Sequence, residues 1–364
     1  MSPYWKLCLG CVMAVLLTAD ASLAAEVTSV AGTGEKSAGG DGGLATHAAV
    51  GEPYGVEIGP DGALFICDIA NHVIRRVDRS TGIISTVVGC GEKGYSGDGG
   101  DARQAKLNEP YEVRFDLQGN LIFVEMKNAV VRRVDARTGI ISTIAGTGEE
   151  GFSGDGGPAN QAQLKQPHSI AIDADGHLYI CDIGNHRIRR VDATTGTIST
   201  FAGTGGREAT PDGAVLAGTP LNGPRALDFD GQQSLVLALR EGNALYRINL
   251  QSGTLHHLAG TGKSGYTGDG GDAKLAQLSG PKGVTIAPSG DIYFADTESH
   301  TVRVVRAHSG LLETVVGDGQ RGDGPDGDPL RCRMARPHGI CSDEHGNVYI
   351  GDSEAYRVRM LRGD

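Results

Sequence analysis

The chain has 364 residues and a formal net charge of −11. This acidity argues against a nucleic-acid binder or a protein that adheres to anionic membranes, because both need a basic face. The 57 glycines and the aromatic content of only 5% favour many tight turns between short strands over long helices. We therefore expect an all-β protein.

The first 25 residues resemble a secretory signal peptide. Lys6 supplies the positive charge, and the apolar run 7–17 is too short to span a bilayer. Small residues follow, so we expect cleavage after Ala24 or Ala25 and export to the periplasm or the cell exterior. Since no other apolar stretch is long enough to cross a membrane, we expect no membrane insertion.

A fixed repeat organises the rest of the chain. Its first mark is a proline at nearly constant spacing: Pro53, Pro110, Pro167, Pro224, Pro281 and Pro337. An aspartate recurs every 57 residues: Asp41, Asp98, Asp155, Asp212, Asp269 and Asp326. A third position lies 15 residues after each proline: Asp68, Glu125, Asp182, Leu239, Asp296 and Asp352. Three concordant series over six copies indicate a protein of six structural repeats.

Each repeat is predicted to form four short antiparallel strands. In the first repeat the strands are 56–58, 64–67, 73–77 and 83–88, and Asp61-Gly62 makes the first hairpin turn. Four antiparallel strands that recur radially are typical of the blade of a β-propeller. The sequence therefore predicts a six-bladed β-propeller.

The two ends of the chain are predicted to share one blade. Residues 26–34 match a fourth strand and its exit, and residues 356–361 match a third strand. The N-terminal strand can then complete the last blade, which closes the ring and removes an open sheet edge. We expect residues 26–364 to form a single propeller domain.

The repeat is similar to the NHL repeat. The residues that carry the resemblance are Pro-x-Gly-Val, then Asp-Gly, then Leu-Tyr-Ile-x-Asp-x-x-Asn-His-x-Ile-Arg-Arg-Val, and the Gly-Asp-Gly-Gly insert resembles that of exported bacterial NHL proteins. The resemblance covers the whole mature chain. It implies the six-bladed fold but leaves the function open, because this fold hosts both binders and enzymes.

The position directly after each repeat proline is varied and polar. It begins the first strand, which lines the central channel of a propeller, and it reads Tyr54, Tyr111, His168, Arg225, Lys282 and His338. The position two residues further on is uniformly apolar, so the variation is confined to this ring. A varied polar ring at a channel mouth is where a ligand is expected, although solvated side chains in a wet channel would look the same.

Blades two and four depart most from the repeat. Glu125 replaces the usual aspartate in blade two, and Arg240 follows Leu239 in blade four. Departures in loops on one face can mark a site, and drift in a tolerant repeat explains them equally well. We add Glu125 and Arg240 to the candidate binding residues.

A second varied layer lies three residues after the ring: Glu57, Arg114, Ala171, Asp228, Thr285 and Cys341. It places opposite charges on adjacent blades. We expect a structural ion pair between Glu57 and Arg114 rather than a ligand site.

The two Pro-His pairs resemble the zinc ligands of peptidyl-α-hydroxyglycine amidating lyase, a related six-bladed propeller. That family holds zinc with three Pro-His histidines on alternate blades, assisted by a loop arginine and a loop tyrosine. His168 and His338 match two of the histidines, and Arg240 falls where the loop arginine would. The two histidines lie on opposite blades, however, and no third histidine or loop tyrosine is present. The resemblance implies metal ligation by His168 and His338.

Calcium is the other metal to weigh, because one aspartate recurs in each Gly-Asp-Gly-Gly loop. Calcium requires six to eight converging oxygens, and each loop supplies a single carboxylate. We interpret these aspartates as turn residues that accept hydrogen bonds from backbone amides.

The third strands carry arginine pairs that are expected to lie over the blade surfaces and to pair with acidic neighbours: Arg75-Arg76, Arg132-Arg133 and Arg189-Arg190. Cys67 and Cys181 are expected to be buried thiols. A disulfide between Cys332 and Cys341 stays open, and the odd cysteine total of the mature chain argues against a disulfide scaffold.

Taken together, the residues predict an exported, non-catalytic binding module that contacts a protein, peptide or glycan through its channel face. We expect a monomer that requires no cofactor and binds no nucleic acid. The alternative is a metal-assisted lyase or hydrolase of the amidating-lyase type, with zinc, or else calcium, as the metal.

Overall fold

The computed structural model describes residues 25–363. The predicted signal peptide, residues 1–25, therefore lies outside the described residues apart from Ala25. Within the described range the chain forms six four-stranded antiparallel sheets. None of the helices in that range has the length and apolarity needed to cross a bilayer.

The strands follow one another in a regular order, with 3-10 helices between them. In the N-terminal half they are β1 (Val27–Ala31), β2 (Pro53–Ile58), β3 (Leu64–Asp68), β4 (Val73–Val77), β5 (Ile84–Val88), β6 (Pro110–Phe115), β7 (Leu121–Glu125), β8 (Val130–Val134), β9 (Ile141–Ala145), β10 (Pro167–Ile172), β11 (Leu178–Asp182), β12 (Arg187–Val191) and β13 (Ile198–Ala202). In the C-terminal half they are β14 (Pro224–Phe229), β15 (Ser234–Leu239), β16 (Ala244–Asn249), β17 (Thr254–Ala259), β18 (Pro281–Ile286), β19 (Ile292–Asp296), β20 (Thr301–Val305), β21 (Leu312–Val316), β22 (Pro337–Ser342), β23 (Val348–Asp352) and β24 (Arg357–Leu361). The short 3-10 helices are Ala45–His47, Ile69–Asn71, Ala102–Gln104, Ala159–Gln161, Ile183–Asn185, Ala273–Leu275, Thr297–Ser299, Pro329–Arg331 and Ser353–Ala355.

The predicted six-bladed propeller is confirmed. Each repeat proline begins the first strand of a blade, and neighbouring first strands pack side by side around a central axis. The seam is also as predicted, because β1 pairs antiparallel with β24 and places Val27 opposite Leu361. The last blade thus has the strand order β1-β24-β23-β22, which joins the two ends of the ring.

The hydrophobic core lies between blades. Between blades one and two, Ile74, Val113 and Phe123 are completely buried in one cluster, and equivalent clusters fill the other interfaces. Close approach of the first strands limits side-chain size near the axis. A Cβ atom on Gly339 would lie 1.9 Å from the carbonyl oxygen of Tyr54, so only glycine fits there.

Arg76, Arg133 and Arg190 are partly exposed and pair with acidic neighbours as expected. The expectation that the third-strand arginines lie over the blade surfaces is wrong, however, for the first arginine of each pair. Their side chains are buried inside the blades, and they recur in five blades as Arg75, Arg132, Arg189, Arg303 and Arg359. Each guanidinium contacts the loop aspartate that recurs every 57 residues; the Arg132–Asp98 contact, for example, is 2.6 Å. Each also contacts the carboxylate that ends the second strand, as Arg132 does with Glu125 at 3.0 Å. We call this buried arrangement the arginine socket.

All five cysteines of the described range are unbonded, so Cys332 and Cys341 form no disulfide. Cys67 and Cys181 are completely buried, as expected for small apolar side chains.

Candidate functional site

The six residues that follow the repeat prolines converge at one end of the channel and contact one another. We call them the mouth cluster: Tyr54, Tyr111, His168, Arg225, Lys282 and His338. The first strands bring them together because each begins at the same level around the axis. The predicted ring is therefore a contiguous group of side chains.

One half of the mouth cluster is aromatic. The rings of Tyr54 and Tyr111 meet edge to face with centroids 4.6 Å apart, and Tyr111 meets His168 in the same way at 4.6 Å. Tyr54 stacks on His338 with centroids 3.9 Å apart. These contacts span four blades. Tyr54, Tyr111 and His168 are half-buried, so part of each ring is exposed to solvent.

The other half is cationic. The Nζ atom of Lys282 lies 3.1 Å from Nε2 of His338 and 3.1 Å from the carboxylate of Glu298. Arg336 contacts the same carboxylate at 2.8 Å. Burial lowers the pKa of Lys282 to about 7, with Glu298 opposing the shift and Arg225 adding to it. Lys282 therefore gains or loses its proton near neutral pH.

Backbone geometry fixes the tautomers of both histidines. The residues before the prolines, Gln166 and Arg336, have positive φ angles of 49° and 56°. Their carbonyl oxygens lie 2.6 Å and 2.8 Å from Nδ1 of His168 and His338, so Nδ1–H donates and Nε2 is the acceptor. Burial, reinforced by the neighbouring cations, holds the pKa of both histidines well below the ordinary value. Both imidazoles are neutral at pH 7.

Arg225 is the exceptional member of the mouth cluster. Among residues 25–363, seven lysine and arginine side chains are buried, and six of them have an ion pair. Arg225 is only 4% exposed and forms no ion pair with a described residue; its Cζ atom lies 5.0 Å from the centroid of the Tyr111 ring. Its nitrogens, unlike Nε of Arg75, are not sealed from solvent. Arg225 is thus a buried, unpaired cation that faces the mouth.

The two loop residues predicted to join the site lie in different environments. Arg240 is half-buried, pairs with Glu241 at 2.9 Å, and its charge contributes to the low pKa of His168. It therefore lies at the edge of the mouth cluster. Glu125 is completely buried and accepts hydrogen bonds from the Asn108 amide, Asn128 and Arg132. Since it belongs to an arginine socket, its position does not suit the predicted role in ligand binding.

The second layer contains the predicted ion pair, with Arg114 and Glu57 3.0 Å apart. Arg114 also contacts Glu112 at 2.7 Å, and Glu112 accepts a hydrogen bond from Ser169 at 3.0 Å. A cavity of 360 Å³ beside this layer is lined by Glu57, Arg114 and Asp228. The end of the channel opposite the mouth cluster is thus rich in carboxylates.

The residues of the mouth do not form a metal-ligand set. His338 directs its acceptor nitrogen at the ammonium group of Lys282, and no carboxylate or thiol completes a group with His168. Throughout residues 25–363, no three His, Cys, Asp or Glu side chains are placed to hold one ion. Five of the six loop aspartates contact an arginine instead. Asp98, for example, contacts Arg132 and also accepts a hydrogen bond from the Thr143 amide.

Family models match most of the C-terminal two thirds of the chain. The Teneurin NHL domain matches residues 147–215 and 248–332, and the NHL repeat matches residues 334–360. These matches contain all four strands of blade three (β10–β13) and of blade five (β18–β21). The chain is an NHL-repeat β-propeller.

Known proteins similar to this NHL-repeat propeller share its repeats or its fold. Human NHL repeat-containing protein 2 is 25% identical over 289 residues, which cover 71% of this chain and 39% of that protein. The chain spans less than half the length of the curated relatives it matches.

Two solved structures share the fold alone. An auxiliary nutrient binding protein from Bacteroides ovatus is 18% identical with a TM-score of 0.67, over 93% of this chain and 77% of that one. A virginiamycin B lyase from Staphylococcus aureus is 14% identical with a TM-score of 0.52, over 93% of this chain and 99% of that one.

Sequence reasoning missed several residues of the NHL-repeat propeller. Glu298 and Arg336 flank Lys282, and Glu112 lies within the channel, but none was a candidate. Glu112 carried a signal, because the other blades have Gly55, Ser169, Ala226, Gly283 and Gly339 at its position. The lone large, charged residue in a series of small ones marks a place where the channel is filled differently.

Proposed function

We propose that this NHL-repeat propeller is a non-catalytic binding module that receives a carboxylate-bearing peptide or glycan at the mouth cluster. Arg225 is the anion receptor in this proposal, and the exposed edges of Tyr54, Tyr111 and His168 contact the rest of the ligand. Export to the periplasm or cell exterior, which residues 1–25 predict, belongs to the same proposal.

The unpaired state of Arg225 carries the proposal. A buried guanidinium without a carboxylate loses much of its hydration and regains little, which costs free energy unless a partner is supplied. Every other buried cation of the described range has such a partner within the chain. A ligand carboxylate is the partner with the matching geometry, because it can accept two parallel N–H bonds from a guanidinium.

The surroundings of Arg225 also suit an anion. Burial raises the pKa of Glu112, although the charges of Arg114 and Arg225 oppose this shift. The Glu112 carboxylate contacts Arg114 at 2.7 Å and forms no ion pair with Arg225. Lys282 adds a second positive charge below about pH 7. The aromatic half of the mouth cluster provides flat apolar faces for a sugar ring or a peptide side chain.

The fold neighbour from Bacteroides ovatus supports the class of function. That protein is described as an auxiliary nutrient binding protein. For the present chain, ligand binding at the propeller is an extension of that description, and it rests on Arg225 rather than on the resemblance.

Calorimetric titration with matched pairs of probes tests the proposal. The pairs are D-galacturonate with D-galactose, and an N-acetylated dipeptide acid with its amide. We expect one acid to bind and its neutral counterpart to bind at least about tenfold more weakly, as the loss of a charge-assisted hydrogen bond requires.

The Arg225→Gln variant should lose that difference. Arg247 of β16 is a matched control, since it lies in the same blade but outside the mouth cluster. It pairs with Asp230 at a distance of 3.6 Å. Equal acid binding by the wild type and Arg225→Gln, or loss of binding in Arg247→Gln alone, would contradict the proposal.

A further inference from the structure

Blade four lacks the arginine socket that the other five blades contain. In blade three, Arg189 contacts the loop aspartate Asp155 at 2.6 Å and the strand-end aspartate Asp182 at 3.5 Å. Its guanidinium also donates to the carbonyl oxygens of Ser153 and Gln163 at 3.1 Å and 3.3 Å. Arg75, Arg132 and Arg303 have the same four kinds of acceptor. Arg359 of the last blade instead contacts three carboxylates and the Ser29 hydroxyl.

An aromatic side chain covers the socket in three blades. Tyr95, Phe152 and Tyr266 lie over the guanidinium groups of Arg132, Arg189 and Arg303, with ring centroids 4.9–5.4 Å from Cζ. These contacts are cation–π interactions that also limit access of solvent to the arginine.

Blade four changes three of these positions together. Tyr246 replaces the arginine, Leu239 replaces the strand-end carboxylate, and Ala209 stands where blades two, three and five have the aromatic cover. The loop aspartate is kept as Asp212, and it still accepts a hydrogen bond from the backbone of the fourth strand, here from His257 N at 2.8 Å. The carboxylate that pairs with arginine elsewhere thus stays in place without one.

A cavity of 340 Å³ lies at this position in blade four. Its walls include Asp212, Leu239, Glu241, Tyr246 and His257. The Tyr246 hydroxyl donates a hydrogen bond to the carbonyl oxygen of Thr210 at 2.5 Å. Thr210 occupies the position that Ser153 has in blade three. Tyr246 therefore supplies a donor to one of the carbonyl oxygens that an arginine contacts in other blades, and it leaves a cavity beside Asp212.

The two carboxylates of the cavity pair only with side chains that are about half exposed to solvent. The Asp212 side chain is 53% exposed, and its nearest cation is Nζ of Lys274, which is 3.6 Å away and 48% exposed. Glu241 supplies a second carboxylate at the rim, where it pairs with the partly exposed guanidinium of Arg240 at 2.9 Å. The rings of Tyr246 and His257, with centroids 5.3 Å apart, form an aromatic wall.

We propose that the blade-four cavity is a second binding site, which accepts the guanidinium group of an arginine side chain from a peptide. Asp212 is its counter-ion, and Tyr246 and His257 provide the faces on which a planar guanidinium stacks. The ligand restores from outside the contact that five blades make within the chain. This site is independent of the anion receptor at Arg225.

The probes for this site are Nα-acetyl-arginine amide and its neutral isostere Nα-acetyl-citrulline amide, titrated into the mature protein and followed by NMR. We expect the arginine probe to bind at least about tenfold more tightly than the citrulline probe, because only the former makes a charge-assisted bond to Asp212. Equal binding of the two probes, or no binding of the arginine probe, would overturn the proposal.

Three variants locate the site. Asp212→Asn should abolish the preference for the arginine probe, and Lys274→Ala should strengthen binding by removing the competing cation. If Asp212→Asn does not fold, the double variant Leu239→Asp with Tyr246→Arg decides the question, because it fills the cavity with an internal arginine and should exclude the probe. Unchanged binding in that double variant, or a loss of binding in Arg225→Gln, would place the probe elsewhere and overturn the proposal.

Discussion

Two kinds of buried arginine coexist in this propeller. Arg189 lies in a socket between two carboxylates and two carbonyl oxygens, whereas Arg225 is also buried but forms no ion pair and contacts the Tyr111 ring. Where the blade needs a cation for its own stability, the chain supplies the counter-charges. Where it supplies none, we infer that the counter-charge comes from a ligand. The following changes test this difference, beginning with the largest expected effect.

Removing a socket arginine should strongly destabilise the fold. In Arg189→Met the carboxylate of Asp182, which is completely buried, loses its cation. Breaking a buried pair in this way costs about 3–5 kcal/mol. Urea unfolding followed by circular dichroism measures the free energy of unfolding. A loss below about 1 kcal/mol, the size of a surface ion pair, would show that the socket is not needed for stability.

Removing the mouth arginine should leave stability unchanged or raise it. Arg225→Met deletes a buried charge that has no ion pair, so we expect the free energy of unfolding to change by less than about 1 kcal/mol or to increase. The same urea experiment measures it. If Arg225→Met is as unstable as Arg189→Met, the two arginines are structurally equivalent and the comparison fails.

The affinity of the mouth for a carboxylate should depend on pH through Lys282. Burial lowers the pKa of this group to about 7. An anionic ligand favours the protonated form, so affinity should rise as the pH falls through about 7 and should decline above it. His338 does not contribute in this range, because its pKa lies well below the ordinary value.

Lys282→Met should flatten that pH profile, measured by calorimetry between about pH 6 and about pH 9. Glu298 also faces Lys282: burial acts to raise its pKa, but the bond from Arg336 and the charge of Lys282 keep it low and the group ionised. An unchanged pH profile in Lys282→Met would assign the dependence to another group.

The aromatic covers should contribute least. Phe152 is 43% exposed and lies 4.9 Å from Cζ of Arg189 and 4.0 Å from Cζ of Arg187. We expect Phe152→Ala to cost about 1 kcal/mol of unfolding free energy, the size of partly exposed cation–π contacts. Ala209→Phe in blade four covers no arginine and should not stabilise the protein. A clear gain in Ala209→Phe would contradict this account of the covers.

The period of the sequence was sufficient to predict the fold. The proline and aspartate series predicted the number of blades. The strand patterns at residues 26–34 and 356–361 predicted that the two ends of the chain pair in one sheet, as β1 and β24 do. The position of the mouth cluster followed from the same count. These features depend only on spacing, which the sequence displays directly.

The partners of individual charges could not be predicted in the same way. Arg75 and Arg76 are adjacent in the sequence, yet alternation along the strand buries the first and leaves the second beside Asp61 near the surface. Glu125 looked like a departure in a loop, but it is a longer carboxylate serving the same socket. Arg225 has no ion pair because of the side chains that the other first strands place around it. This arrangement cannot be predicted from the sequence of one repeat.

NMR of the arginine side chains tests the central claim most directly. The Nε–H signal of Arg225 is identified as the one that disappears in Arg225→Gln. The acid that binds in the calorimetric titration is then added stepwise to the wild-type protein while all arginine Nε–H signals are followed. We predict that the Arg225 signal shifts with saturation while the signals of the socket arginines, including Arg189, stay fixed. A stationary Arg225 signal during saturable binding of the carboxylate would contradict the assignment of Arg225 as the anion receptor.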